Sequence, residues 1–202
     1  MQLDKDFWND RYVNQQMGWD IGYPSTPLKD FIDTLEDKSI RILIPGCGNA
    51  YEAEYLHEQG FENVFVIDIA PLALEGFSER VPEFPEDHLI LGDFFEHQAE
   101  YDLILEQTFF CALNPELRSA YAKKMNELLA PKGKLAGVMF CFELTEKGPP
   151  FGGSAEEYRS YFDEYFEIVS LEECKNSIPP RLGNELWVEL VKAKTSLRRR
   201  ND

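Results

Sequence analysis

Apolar residues fall along this chain in short runs of strand length, separated by stretches in which they recur every three to four positions. The runs are Ile40–Ile44, Val64–Ile67, Leu89–Leu91, Tyr101–Glu106, Lys134–Phe142, Phe166–Leu171 and Glu185–Val191. Runs of this length bounded by turn signals read as buried strands. Helical spacing marks Ala50–Gln59, stopped by Gly60, then Pro71–Arg80, Pro115–Leu129 and Ala155–Tyr165. Upstream, Asp4–Gln16 predicts a short helix with Phe7, Trp8, Tyr12 and Val13 on one side. A loop punctuated by Gly18, Gly22, Pro24 and Pro27 follows. A second helix is predicted from Thr26, with the hydroxyl as cap and Pro27 at the first helical position.

Continuous apolar strands alternating with helices predict an α/β fold: a mostly parallel seven-stranded sheet with helices on both faces. No helical signal separates the last two strands, so an antiparallel edge is expected there. At 202 residues the chain is expected to form one domain. Residues 1–38 would form an N-terminal helical segment, 39–192 the α/β core and 193–202 a tail carrying the basic run Arg198–Arg200.

The strand ends carry the chemistry. The first run closes on Pro45–Gly46–Cys47–Gly48, the second on Asp68 and the third on Gly92–Asp93. A tight glycine corner followed by two acids at successive strand ends suits an adenosine. Gly46 and Gly48 would let the backbone approach the ligand, Asp68 would accept from the ribose hydroxyls and Asp93 from the adenine amine. Each has a plainer reading: a strand–helix turn for the glycines, a helix cap for Asp68, a turn cap for Asp93. Phe94 would lie on the adenine face or in the core. A nicotinamide dinucleotide is the competing ligand. Its fingerprint wants a third glycine opening the helix, and Tyr51 stands there instead. Asp93 suits the adenine end of S-adenosylmethionine (SAM), and the segment Leu128–Gly133 resembles the helix–turn–strand common in class I SAM-dependent methyltransferases.

A net charge of −17 excludes nucleic acid as substrate, because phosphate binding needs a basic footprint. Cys47, Cys111, Cys141 and Cys174 have neither metal-ligand nor redox-motif spacing, so no metal is expected. His57, His88 and His97 share no spacing that would mark a base or a metal triad. No membrane segment or signal peptide is read, which predicts a cytoplasmic protein, with a monomer favoured.

Several motifs resemble the thiopurine S-methyltransferase family, above all its halide/thiol methyltransferase branch. They are Phe7–Trp8 with Tyr12, Gly18–Gly22, Thr26–Leu28, Ile44–Gly48, Phe109–Leu113, Pro115–Arg118, Gly148–Phe151 and Ile178–Arg181. The resemblance spans about residues 7–192. It implies a single Rossmann-like class I methyltransferase domain that uses SAM on a small-molecule acceptor: a thiol, sulfide, halide or thiopurine-like nucleophile. It further implies a lid over SAM built from Trp8, Tyr12 and Trp19. Glu106 would join the cofactor site, and Gln107 and Arg181 would line the acceptor pocket as its catalytic residues. The branch commonly has tyrosine at the place of Gln107. No Asn/Asp-Pro-Pro-Tyr clamp follows the fourth strand, which disfavours amine acceptors. A soft nucleophile needs no strong base, so positioning and exclusion of water would supply most of the catalysis. A SAM-binding protein without chemistry is the remaining alternative.

Overall fold

The computed structural model describes residues 3–193, so the expected tail with Arg198–Arg200 lies outside the described residues. The sheet has the seven expected strands: β1 Ile42–Pro45, β2 Val64–Asp68, β3 Leu89–Leu91, β4 Tyr101–Gln107, β5 Leu129–Phe140, β6 Phe166–Glu173 and β7 Glu185–Lys192. Their spatial order is β3-β2-β1-β4-β5-β7-β6. The first five run parallel. The antiparallel edge is a hairpin in which β7 lies inside, paired with β5 on one side and β6 on the other.

Strand periodicity sorts the core into two layers. Ile42, Ile44, Val64, Val66, Leu103 and Leu105 point to one face. There they meet Leu28 and Ile32 of α2 (Thr26–Ile32), Ala53 and Leu56 of α3 (Tyr51–Glu58), and Phe77 of α4 (Pro71–Arg80). Leu43, Ile67 and Ile104 point the other way, against Tyr121, Ala122 and Met125 of α5 (Arg118–Leu128) and Tyr158 and Phe162 of α6 (Ala155–Phe162). All four residues of β1 are buried because both faces are covered.

Three local details differ from expectation. Ser25 rather than Thr26 stands at the N-cap position of the second helix; its side chain makes no capping bond, and its N–H donates to the buried Glu52 carboxylate at 2.8 Å. The helix predicted from Pro115 opens as a 3₁₀ turn, Pro115–Leu117, capped by the Asn114 side chain. The turn Ala130–Gly133 is absorbed into β5 as a bulge between the pairs Leu129–Tyr101 and Lys134–Leu103.

The N-terminal helix α1, Lys5–Val13, is capped by the Asp4 side chain and buries no residue of its own. It packs mainly on α4, where Asn9 Oδ1 accepts from Leu72 N at 3.3 Å. The strand order reverses between β1 and β4, and in open α/β sheets the crevice at that point, beyond the strands' carboxyl ends, is where ligands bind. No described helix is long and apolar enough to cross a membrane.

Candidate active site

A cavity of about 1170 Å³ occupies that crevice. Its floor is the corner after β1. Gly46, Gly48 and Ala50 all have positive φ, +55°, +56° and +54°, so the backbone makes three left-handed steps in five residues. At Gly46 the space is also needed: a Cβ there would lie 2.2 Å from the ring of Phe109. A Cβ on Gly48 would meet the indole nitrogen of Trp19 at 3.4 Å and the Tyr12 hydroxyl at 3.5 Å.

Asp68, at the end of β2, holds this corner in place. Oδ2 accepts from Gly48 N at 3.0 Å and Oδ1 from Ala70 N at 2.9 Å, so it also supports the start of α4. Burial pushes its carboxyl above the usual carboxylate range. Each carboxylate oxygen has a second lone-pair direction, which leaves Asp68 capacity to accept from a ligand in the cavity it lines. Asp93 is exposed on the cavity rim, and its Oδ1 accepts from Phe95 N at 2.8 Å. Asp93 thus caps its turn as the plainer reading had it, while the N-cap position of α4 is Ala70 rather than Asp68; both acids keep acceptor capacity toward the cavity. Phe94 lines the cavity from the core, 5 % exposed, with its ring 5.1 Å from that of Phe109 and 5.9 Å from that of Tyr121.

The roof is aromatic. Trp19 meets Trp8 edge-on at 5.6 Å and Tyr12 at 5.9 Å, and all three line the cavity. Burial, and then the nearby Asp68 carboxylate, push the Tyr12 hydroxyl up, so it stays neutral. Arg11 and Gln16, which the sequence did not mark, join this wall and hydrogen bond to each other at 3.0 Å.

The far end holds Phe140, Cys111, Pro149, Pro150 and Arg181. Arg181 is 8 % exposed, and its ion-pair partner Glu185 is buried as well. Its Nη2 donates to the Trp19 carbonyl at 2.8 Å, and Nη1 lies 3.5 Å from Glu185 Oε1. The Cys111 thiol donates to the Thr108 carbonyl at 3.2 Å, and burial pushes it up. No histidine among the described residues lines the cavity.

Two expectations are corrected. Glu106 does not reach the cavity. It is fully buried beneath it, with Oε1 accepting from Phe109 N at 2.8 Å and Phe110 N at 2.9 Å, and Oε2 from the Tyr121 hydroxyl at 2.5 Å. Burial pushes its carboxyl up to about 7. Gln107 does not line the acceptor end either. It borders a separate void of about 40 Å³ beside Trp19, Asp20 and the glycine corner, and its Oε1 is buried without a partner. The cause is strand geometry: consecutive residues at the end of β4 face opposite sides of the sheet. The chain enters the cavity only at Thr108, whose φ of +59° is left-handed for a β-branched residue and turns Thr108 and Phe109 across the strand end. The run Phe109–Leu113 and the prolines at 149–150 mark the resemblance in the sequence, but nothing in their spacing gives them a place in the wall.

The residues fit SAM. A glycine corner, two carboxylates at the ends of β2 and β3 and an aromatic roof converge on one void, and a side chain at Gly46 would collide with the Phe109 ring that lines it. The sequence model of the thiopurine S-methyltransferase family (TPMT) matches residues 3–201. The chain is 30 % identical over 184 residues to a probable thiol methyltransferase 2 of Arabidopsis thaliana, covering 88 % of this chain and 81 % of that protein. It is 32 % identical over 189 residues to thiocyanate methyltransferase 1 of Brassica oleracea, covering 91 % and 83 %. Among solved structures, a 1,6-didemethyltoxoflavin-N1-methyltransferase of Burkholderia thailandensis superposes with a TM-score of 0.73 at 16 % identity, covering 94 % and 87 %. That likeness is one of fold. The near-complete match in sequence goes further, and it places the chain in the thiopurine S-methyltransferase family.

Proposed function

We propose that this protein transfers the methyl group of SAM to a small soft nucleophile, a thiol or thiolate first among them, with halides and thiopurine-like acceptors in the same class. The observation that carries the reading is the continuity of one cavity, from Asp68 and Asp93 at one end to Arg181, Cys111 and Phe140 at the other. When bound, SAM supplies an electrophilic methyl on a sulfonium.

The chain's own residues do the rest. Asp68 and Asp93 accept from the ribose and the adenine, and the glycine corner lets the backbone approach the methionine end. Trp8, Tyr12 and Trp19 cover the cofactor; an aromatic face beside a cation contributes about 0.5–2 kcal/mol. Arg181 attracts an anionic acceptor, while the ring of Phe140 and the prolines at 149–150 keep water away from the line of attack. With no histidine in the wall and a neutral Cys111, the acceptor arrives already nucleophilic and the site orients it.

The test is a turnover screen with SAM against thiols and halides, read as S-adenosylhomocysteine formed, beside calorimetric binding of S-adenosylhomocysteine to wild type and Asp68→Ala. Turnover with at least one thiol is expected. The variant should bind about tenfold or more weakly, the equivalent of one hydrogen bond to a charged group. Full affinity in a folded Asp68→Ala protein would remove the cofactor assignment.

A further inference from the structure

We propose that Arg181 is a positioning residue for the lid: its bond to the Trp19 carbonyl joins the acceptor end of the cavity to the roof over the cofactor. This rests on the methyl-transfer reading above and adds a coupling between its two halves.

The guanidinium is fixed before any ligand arrives. Its backbone sits in a tight turn, with Arg181 N donating to Ile178 O at 2.9 Å and its own carbonyl accepting from Asn184 N at 2.9 Å. Its charge is met by Glu185, buried at the start of β7. From there Nη2 reaches across 162 positions of sequence to the Trp19 carbonyl. A hydrogen bond from a charged donor is stronger than one between neutral groups.

The segment it holds has few other ties. Beyond it, Asp20 accepts from Asn49 Nδ2 at 2.6 Å and the Trp19 ring meets Trp8 and Tyr12 of α1, a helix that itself buries nothing. Yet the Trp19 indole is the group closest to where a Gly48 side chain would lie, directly over the glycine corner. Arg181 therefore sets the height of the indole above the cofactor site through the backbone, while lining the acceptor end with the same guanidinium. A guanidinium has five N–H donors, so the two contacts leave others for an acceptor. Whatever engages Arg181 then shifts affinity for the cofactor, and by linkage the cofactor shifts affinity for the acceptor by the same factor.

The test is calorimetric binding of S-adenosylhomocysteine, with no acceptor present, to wild type, Arg181→Ala, Trp19→Ala and the double variant, each checked for a cooperative thermal transition. Arg181→Ala is expected to bind about tenfold more weakly, and the double variant no more weakly than Trp19→Ala alone. Non-additivity is the signature, because without the indole Arg181 has nothing to position. Should Arg181→Ala not fold, Arg181→Lys serves: one ammonium cannot span both Glu185 and the Trp19 carbonyl, so binding should still weaken. Wild-type affinity in both Arg181 variants, or losses that add in the double variant, would overturn the proposal while leaving methyl transfer intact. Failure of the wild-type protein to bind S-adenosylhomocysteine would overturn the methyl-transfer reading itself, and the coupling with it.

Discussion

Replacing Glu106 by Gln should change how stability depends on pH, in a direction the geometry fixes. Wild-type Glu106 is wholly buried and its carboxyl is pushed up to about 7 by that burial, against an ordinary value of 4.5. Between those two pH values the native state keeps the proton and the unfolded chain has lost it. The native state then binds more protons, so stability falls as pH rises through this window and the loss is complete above about 7. The displacement is roughly two and a half pH units at about 1.4 kcal/mol each, or about 3 kcal/mol. A carboxamide at this position does not titrate. Its oxygen still accepts from the Phe109 and Phe110 N–H groups, and the Tyr121 hydroxyl can turn to accept from the amide, so the exchange adds a roughly constant offset across pH. Urea unfolding of both proteins from pH 4 to pH 8 isolates the group, because other titrations cancel in the difference. The variant should gain about 3 kcal/mol on wild type between pH 4.5 and 7.5. A difference flat across that range would show that Glu106 is ionised throughout and would refute the reasoning.

Gly46→Ala should lower stability by about 2 kcal/mol or more, since the left-handed backbone disfavours a side chain and the Cβ would lie 2.2 Å from the Phe109 ring. It should also weaken S-adenosylhomocysteine binding as that ring is driven toward the cavity; wild-type values of both in calorimetry and thermal unfolding would contradict the packing described. Arg118 is fully buried, with Nη1 2.7 Å from Glu157 and Nη2 donating to Gly152 O at 2.7 Å. Glu157→Ala strands that charge and should cost about 3 kcal/mol in denaturant unfolding, more than Arg118→Met, which removes it; the reverse order would be wrong for a buried guanidinium.

The strands, the glycine corner and the two acids were legible in the sequence because each is a local signal: an apolar run, its end, and the residue type there. The same locality explains what was not. Glu106 and Gln107 sit at the right place in the chain, but which side of the sheet each faces depends on where the strand turns, and that turn is a left-handed Thr108. Nothing about a threonine announces such a backbone; it is held by Glu106 reaching forward to the N–H groups of Phe109 and Phe110. Arg181 lies in the cavity wall, and its bond to Trp19 joins positions too distant for any spacing rule to find. The apolar side read on the first helix holds Trp8 and Tyr12, but in the fold that helix buries no residue of its own, and Trp8 and Tyr12 line the cavity instead.

The position of β7 bears on how the chain comes to be folded at all. The most C-terminal strand among the described residues fills an interior slot, between β5 and β6. Until it arrives, β5 presents an open edge beside a buried core and β6 has no partner in the sheet. Unpaired edges of this kind invite pairing with other chains. A nascent polypeptide ending before residue 185 is therefore an aggregation-prone intermediate rather than a smaller version of the domain. Completion of the sheet, and with it of the wall that carries Arg181, waits on β7.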